Sequence, residues 1–288
     1  QPEAPGYEAD DEGFDVPQRE AIVWWDEKRV VTPEEAGGLS EAMKQRAFWA
    51  AGFDDLDRLS ELGGLVGLAL RQGWTQAQFR EAARERALVA PPGEQPAMNE
   101  LAAAHANLVY RQNSFQALAA GRYIQMSRSL ESRPYWQYLT AGDENVRPTH
   151  RALDGVVKPA QDPFWDSFYP PWEWACRCAV VSLSPQQMDA EGLAVTDEAE
   201  LAARWDAAQH TTFPAEFERS YREVLPLYER RAEQGQTLQT VPANPKWQYP
   251  RADAFFLAAE GGAPVSDDAR AEWDRLRNQP PVQVLEEE

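Results

Sequence analysis

The chain has 288 residues, with 47 acidic against 28 basic side chains for a formal charge of -19, and 2 cysteines. A chain of that length buries a substantial core in one large or two ordinary domains, which excludes a disulfide-built scaffold. The acidic balance disfavours attachment to phosphate backbones, and the longest apolar runs, such as "LGGLVGLAL" (62–70), fall short of the roughly 20 residues of a bilayer span. Neither nucleic acid nor a membrane is therefore an expected partner.

Residues 1 to 20 carry seven acids against Arg19, and the chain ends in "LEEE". Acidic, Pro-bearing ends read as solvated arms, flexible or ordered by a partner, and the first is assigned to residues 1–31. No basic start followed by an apolar run reads as a secretion signal, so folding in a reducing cytosol is expected.

In "VTPEEAGGLSEAMKQRAFWAAG", Thr32 is a cap, Pro33 suits the first helical position and Glu35 completes a capping box. Gly37-Gly38 interrupt this start, and a longer helix is expected from Ser40. Over 54–73 the residues Leu56, Leu59, Leu62, Val66 and Leu70 recur at helical steps, and Gly73 ends the run. A further helix restarts from Thr75 with Phe79, Ala83 and Ala87 inward, and "VAPPGEQP" (89–96) breaks it. Met98 to about Leu130 reads as one long helix with Gly121 as a potential kink.

From Arg133 to Ser184 the texture changes to Pro, Trp and short β-type runs: "PYWQYLT" (134–140), "GVVKP" (155–159) and "CRCAVVSLS" (176–184). This stretch is expected to be a small α+β module whose aromatic rings, including Trp165, Trp172 and Trp174, form its core. Helical patterns then return at "SPQQM" behind Ser184, at "VTDEAELAARWDAAQ" from Thr196, at "PAEFERSYREVLPLYERRAEQG" and at "DDARAEWDRLRNQ", before a tail, "PPVQVLEEE". The fold class is thus mainly α with a small α+β module: a helical region with its long helix (32–132) as a stalk, the module (133–185), and a helical and extended C-terminal region (186–288).

Residues able to bind metal or move protons gather in that module. Alternate residues of a strand face one side, so Cys176 and Cys178 can aim both sulfurs at one centre. His150, with either Asp143 or Asp154, would complete four ligands of the kind zinc accepts; Asp154 lies four residues after His150, the same face of a short helix. The sequence leaves three readings of the cysteines open: space-filling buried thiols, a structural zinc site, or a strained Cys-x-Cys disulfide. Asp143, Arg147 and His150 also supply a carboxylate, a cation and a base, the kit of a general acid/base hydrolase or nuclease. Turn formation by Asp143 and a satisfied core histidine explain them better, and the expectation is a protein that is not an enzyme. His105 and His210 read as incidental.

The blocks "RQNSFQALAAGRYIQ" (111–125), "RPYWQYLTAGDENVRPTHRALDGVV" (133–157), "DPFWDSFYPPWEWACRC" (162–178) and "VVSLS" resemble, in order and spacing, the minor head proteins of tailed phages related to protein F of phage Mu, over roughly residues 45–185. The pattern carries over to Asn113, Arg122, Asp143, Arg147, His150, Asp154, Gly155, Pro170, Pro171, Cys176, Arg177 and Cys178. "WEWA" departs from the small turn residue and Asn common in the family. The resemblance implies a low-copy structural protein of head morphogenesis that binds the portal protein, the major capsid or scaffolding protein, or further copies of itself. It implies a place in the capsid interior or at the portal vertex, in the host cytoplasm during assembly, with exit alongside the DNA as one route. The alternative it leaves is a phage-delivered enzyme or toxin using His150, Arg147 and Asp143.

Overall fold

A computed structural model describes residues 19–39, 41–162, 164–172, 176–209 and 267–285. The acidic stretch before Arg19, the helix expected over 214–235, His210 and Trp174 lie outside the described residues. In chain order the elements are α1 (Arg19–Asp26), β1 (Arg29–Val30), α2 (Pro33–Gly37), α3 (Glu41–Lys44), β2 (Ala47–Phe48), α4 (Leu56–Gln72), α5 (Gln76–Glu85), α6 (Ala103–Ser127), β3 (Tyr135–Leu139), α7 (Pro148–Leu153), β4 (Val157–Pro159), α8 (Phe164–Phe168), β5 (Ala179–Leu183), α9 (Pro185–Glu191), α10 (Glu198–Gln209) and α11 (Asp267–Leu276). The protein is mainly helical with two small sheets, and its described residues fall into two compact units: 19–124 with 267–285, and 125–209. No helix among the described residues is long and apolar enough to cross a membrane.

The first unit is helical. Its centre is α4, capped by Asp55, whose side chain accepts from the Asp57 and Arg58 amides, and closed by Gly73 at φ 62°. The expected apolar stripe widens here: every residue from Leu62 to Leu70 is buried, so the helix is enclosed on all sides. Residues 19–31, assigned from the sequence to a flexible arm, instead form α1 and β1 and bury Ala21, Trp24 and Trp25; the Trp25 indole donates to the Gly63 carbonyl at 3.0 Å. The helix expected from Ser40 runs only to Lys44, because Ala47 and Phe48 pair in parallel with Arg29 and Val30 and a strand and a helix cannot share those backbone groups.

Two further boundaries shift for the same reason. Leu101 exchanges backbone hydrogen bonds with the 88–90 segment, so the long helix begins at Ala103 rather than Met98. It continues through Gly121, where a Cβ would stand 2.7 Å from the Ala21 amide nitrogen; the glycine lets α1 approach. In α5 the chain turns out at Arg86, leaving Ala87 exposed at φ 51° and Leu88 buried in its place.

The tail "PPVQVLEEE" is not wholly solvated along its described length, since alternate contacts anchor it. Pro281 bridges Arg29, Ser60 Oγ donates to the Pro281 carbonyl at 2.9 Å, and Val282 and Leu285 are buried. The backbone of α4 admits this strap because Gly63 and Gly64 face it: a Cβ would meet Val282 Cγ1 at 2.4 Å or the Gln283 carbonyl at 2.5 Å. At the same end of the unit Lys28 is fully buried, its Nζ 2.7 Å from the Gln45 carbonyl and 4.1 Å from the centre of the Trp24 ring.

The second unit is built on an antiparallel sheet of order β4-β3-β5, with Trp136 opposite Lys158 on one side and Ser182 on the other. Along β3 burial alternates, so Trp136 and Tyr138 point to the same covered face. Trp136 meets Trp165 edge-on at 5.6 Å, and Phe168 and Trp172 pack on Trp205 of α10. The unit therefore extends past residue 185, the boundary expected from sequence: Thr196 Oγ1 accepts from the Val157 amide at 3.1 Å, and buried Lys158 pairs with Glu198 at 2.6 Å. Thr196 is thus used up inside, and Asp197 caps α10 by accepting from the Glu200 amide. Ser184 caps α9 with a capping box completed by Gln187.

Candidate metal centre

Three segments deliver the centre. Pro148 at the first position starts the six-residue α7, which buries Thr149, His150 and Leu153. Cys176 and Cys178 lie outside regular secondary structure just before β5 rather than within that strand, and Tyr138 comes from β3. Their convergence follows from the sheet: β5 pairs with β3 from Ala179 opposite Leu139, which carries the cysteines across the buried histidine.

His150 Nδ1 lies 3.3 Å from Cys178 Sγ and 3.7 Å from Cys176 Sγ, and the three donor atoms all fall within 4.8 Å of one another. In a tetrahedral zinc site with metal–ligand lengths of about 2.0–2.1 Å to nitrogen and about 2.3 Å to sulfur, the nitrogen–sulfur edge is about 3.6 Å. The observed separations bracket that edge, and the cluster is capable of coordinating a metal ion. Both cysteines are free thiols. Burial alone would raise the Cys176 thiol, but a hydrogen bond from Cys178 and the neighbouring His150 reverse this and hold it well below the ordinary thiol range. Cys178 is correspondingly held high by its hydrogen bond to Cys176 and by burial.

The surround fixes this arrangement. The His150 ring stacks on Trp172 with centroids 3.9 Å apart and planes at 12°. Trp172 Nε1 donates to the Tyr138 hydroxyl at 2.7 Å, and that hydroxyl sits 3.4 Å from His150 Nδ1. Burial, with the two sulfurs beside it, holds the Tyr138 phenol well above its usual range, so it stays a neutral donor.

The two carboxylates expected as a fourth ligand are not members of the cluster. Asp143 is held by Arg177 in a bidentate pair at 2.5 and 2.7 Å, and the Arg177 hydrogen bond depresses its carboxyl below the usual range. Asp154 is exposed and accepts from the Thr140 amide at 2.7 Å. The i,i+4 argument fails for it because α7 ends at Leu153 and Asp154 leaves the helix at ψ 129°. Arg147, at the N-cap position of α7, is not the guanidinium that clamps Asp143.

Gly155 turns α7 into β4 at φ 74°, and Pro170-Pro171 form a buried cis bond before Trp172. Asn113 and Arg122 lie on α6 in the other unit, where the Asn113 amide donates to the Val109 carbonyl at 2.8 Å. His105 is half-buried on the same helix. Sequence reasoning missed Tyr138 and the Trp172 stack; the period-2 pattern of "YWQYL" was the available signal, since it puts Tyr138 on the covered face beside Trp136.

Comparison with known proteins places this centre in context. Residues 65–181 match the family model described as Phage Mu protein F like protein. The Mu-like prophage FluMu F protein of Haemophilus influenzae is 38% identical over 88 residues, 31% of this chain and 21% of that protein. The candidate capsid assembly protein F of Escherichia phage Mu is 30% identical over 192 residues, 63% of this chain and 44% of that protein. The chain therefore spans less than half the length of either relative. No solved structure matches.

Proposed function

From a chain that carries a Mu F-like region across residues 65–181, we propose a minor structural protein of phage head morphogenesis, acting in capsid assembly by binding rather than turnover. One observation carries the reading: the family match runs from within α4 to within β5 and so includes His150, Cys176 and Cys178 together with Tyr138 and Trp172 beside them. A relative over that stretch is itself described as a candidate capsid assembly protein. The partners we propose are the portal protein and the inner face of the capsid shell, with the assembled virion as the final location. A net charge of -19 suits contact with basic subunit faces and opposes capture by packaged DNA.

Two observations weigh against an enzymatic role through His150, Arg147 and Asp143. His150 is 2% exposed with its Nδ1 directed at two sulfurs, and Asp143 is committed to Arg177. The test is mass spectrometry of procapsids and mature particles made by a phage encoding this chain, with affinity capture on the portal protein. The chain is expected in both particles at low copy and in the portal eluate. Its absence from all three contradicts the proposal.

A further inference from the structure

The cluster offers three protein donors, and its open side is a small cleft bounded by Ala141, Asn145, Arg147 and Arg177. That cleft has a cavity volume of about 20 Å³, room for one water. Zinc sites closed by four protein ligands are structural, whereas three protein ligands leave one position to an outside donor. No fourth His, Cys, Asp or Glu joins the group among the described residues, and both nearby carboxylates are engaged elsewhere. We infer that His150, Cys176 and Cys178 bind one zinc ion whose fourth position faces this cleft and is filled by an exchangeable small donor, water or a small anion.

Tyr138 acts as a positioning residue. Its hydroxyl already accepts from Trp172, so its own proton is directed at the Cys178 sulfur, which it orients. This inference is independent of the assembly role: particle association could fail while the metal binds, and the reverse.

The test uses the full chain, freed of metal by chelation under reducing conditions and titrated with cobalt(II). One cobalt per chain is expected to give the strong visible bands of four-coordinate cobalt with a near-ultraviolet thiolate band. Sodium azide is then expected to shift the visible bands. Cys178→Ser and His150→Ala should each weaken cobalt affinity by at least about 10-fold, and Tyr138→Phe by roughly 10-fold while keeping the four-coordinate spectrum. Circular dichroism of each variant separates ligand loss from misfolding, and Cys178, at the cleft side, is the variant least costly to the core. Absence of thiolate bands with both thiols titratable overturns the site. An azide-insensitive spectrum, or loss of four-coordination in Tyr138→Phe, overturns the exchangeable position.

Discussion

In the helical unit, α4 is enclosed from Leu62 to Leu70 by aliphatic and ring contacts and by a strap, Pro281–Leu285, from more than two hundred residues along the chain. In the second unit the strands are three to five residues long, and covering falls to a chain of rings, Trp136, Trp165, Phe168, Trp172 and Trp205, around one polar centre. The difference teaches how each body obtains its order. A long helix buries area along its length, so glycines that admit a neighbour's backbone are its limiting feature. A short sheet cannot, so large flat side chains and convergent ligands replace length.

The largest expected effect lies in the ring cluster. Trp136→Ala removes a side chain 1% exposed and should destabilise the second unit by about 3–5 kcal/mol, read as faster amide exchange in β3 and β5 with α4 unchanged. Equal loss of protection in α4 would erase the distinction between the units. Next, Gly63→Val drives a branched side chain into Val282 and Phe48 and should destabilise the helical unit by about 1–3 kcal/mol, releasing protection first at 281–285. A neutral result there would show that the strap is not seated on α4.

Lys28 sharpens the comparison through pH. Burial, with Arg46 nearby, lowers its pKa from 10.5 to about 7. Between those values the unfolded chain holds a proton that the folded chain lacks, so unfolding free energy should rise with pH by about 1 kcal/mol per unit in this window and level off below it. Lys28→Met should flatten the slope of urea midpoints measured from pH 7 to 9; an unchanged slope contradicts the assignment. The smallest effect is Asp143→Asn. Its pair with Arg177 is partly exposed, so a loss of at most about 1 kcal/mol is expected in urea unfolding, with no change in the helical unit.

What the sequence made legible was local. The capping box at Thr32/Glu35 and the Ser184 cap need only residues close in sequence, and the structure contains both. β2 was read as helix because its parallel partner β1 lies outside any local window. The strap escaped because its groove is made by missing side chains at Gly63 and Gly64 rather than by a pattern in the strap itself. At the centre, residue types alone named His150, Cys176 and Cys178, but helical spacing wrongly recruited Asp154, since nothing in "HRALDG" announces that the helix stops at Leu153. Arg177, written between the two cysteines, proved to be the clamp on Asp143 that the sequence had assigned to no one.

The account depends on His150, Cys176 and Cys178 acting as the organising centre of the second unit, and amide exchange with and without a zinc chelator tests this most directly. Chelation is predicted to accelerate exchange in peptides covering 135–159 and 176–205 while peptides from α4 and 281–285 keep their protection. Unchanged exchange in the first set, on protein shown to carry zinc beforehand, would contradict it.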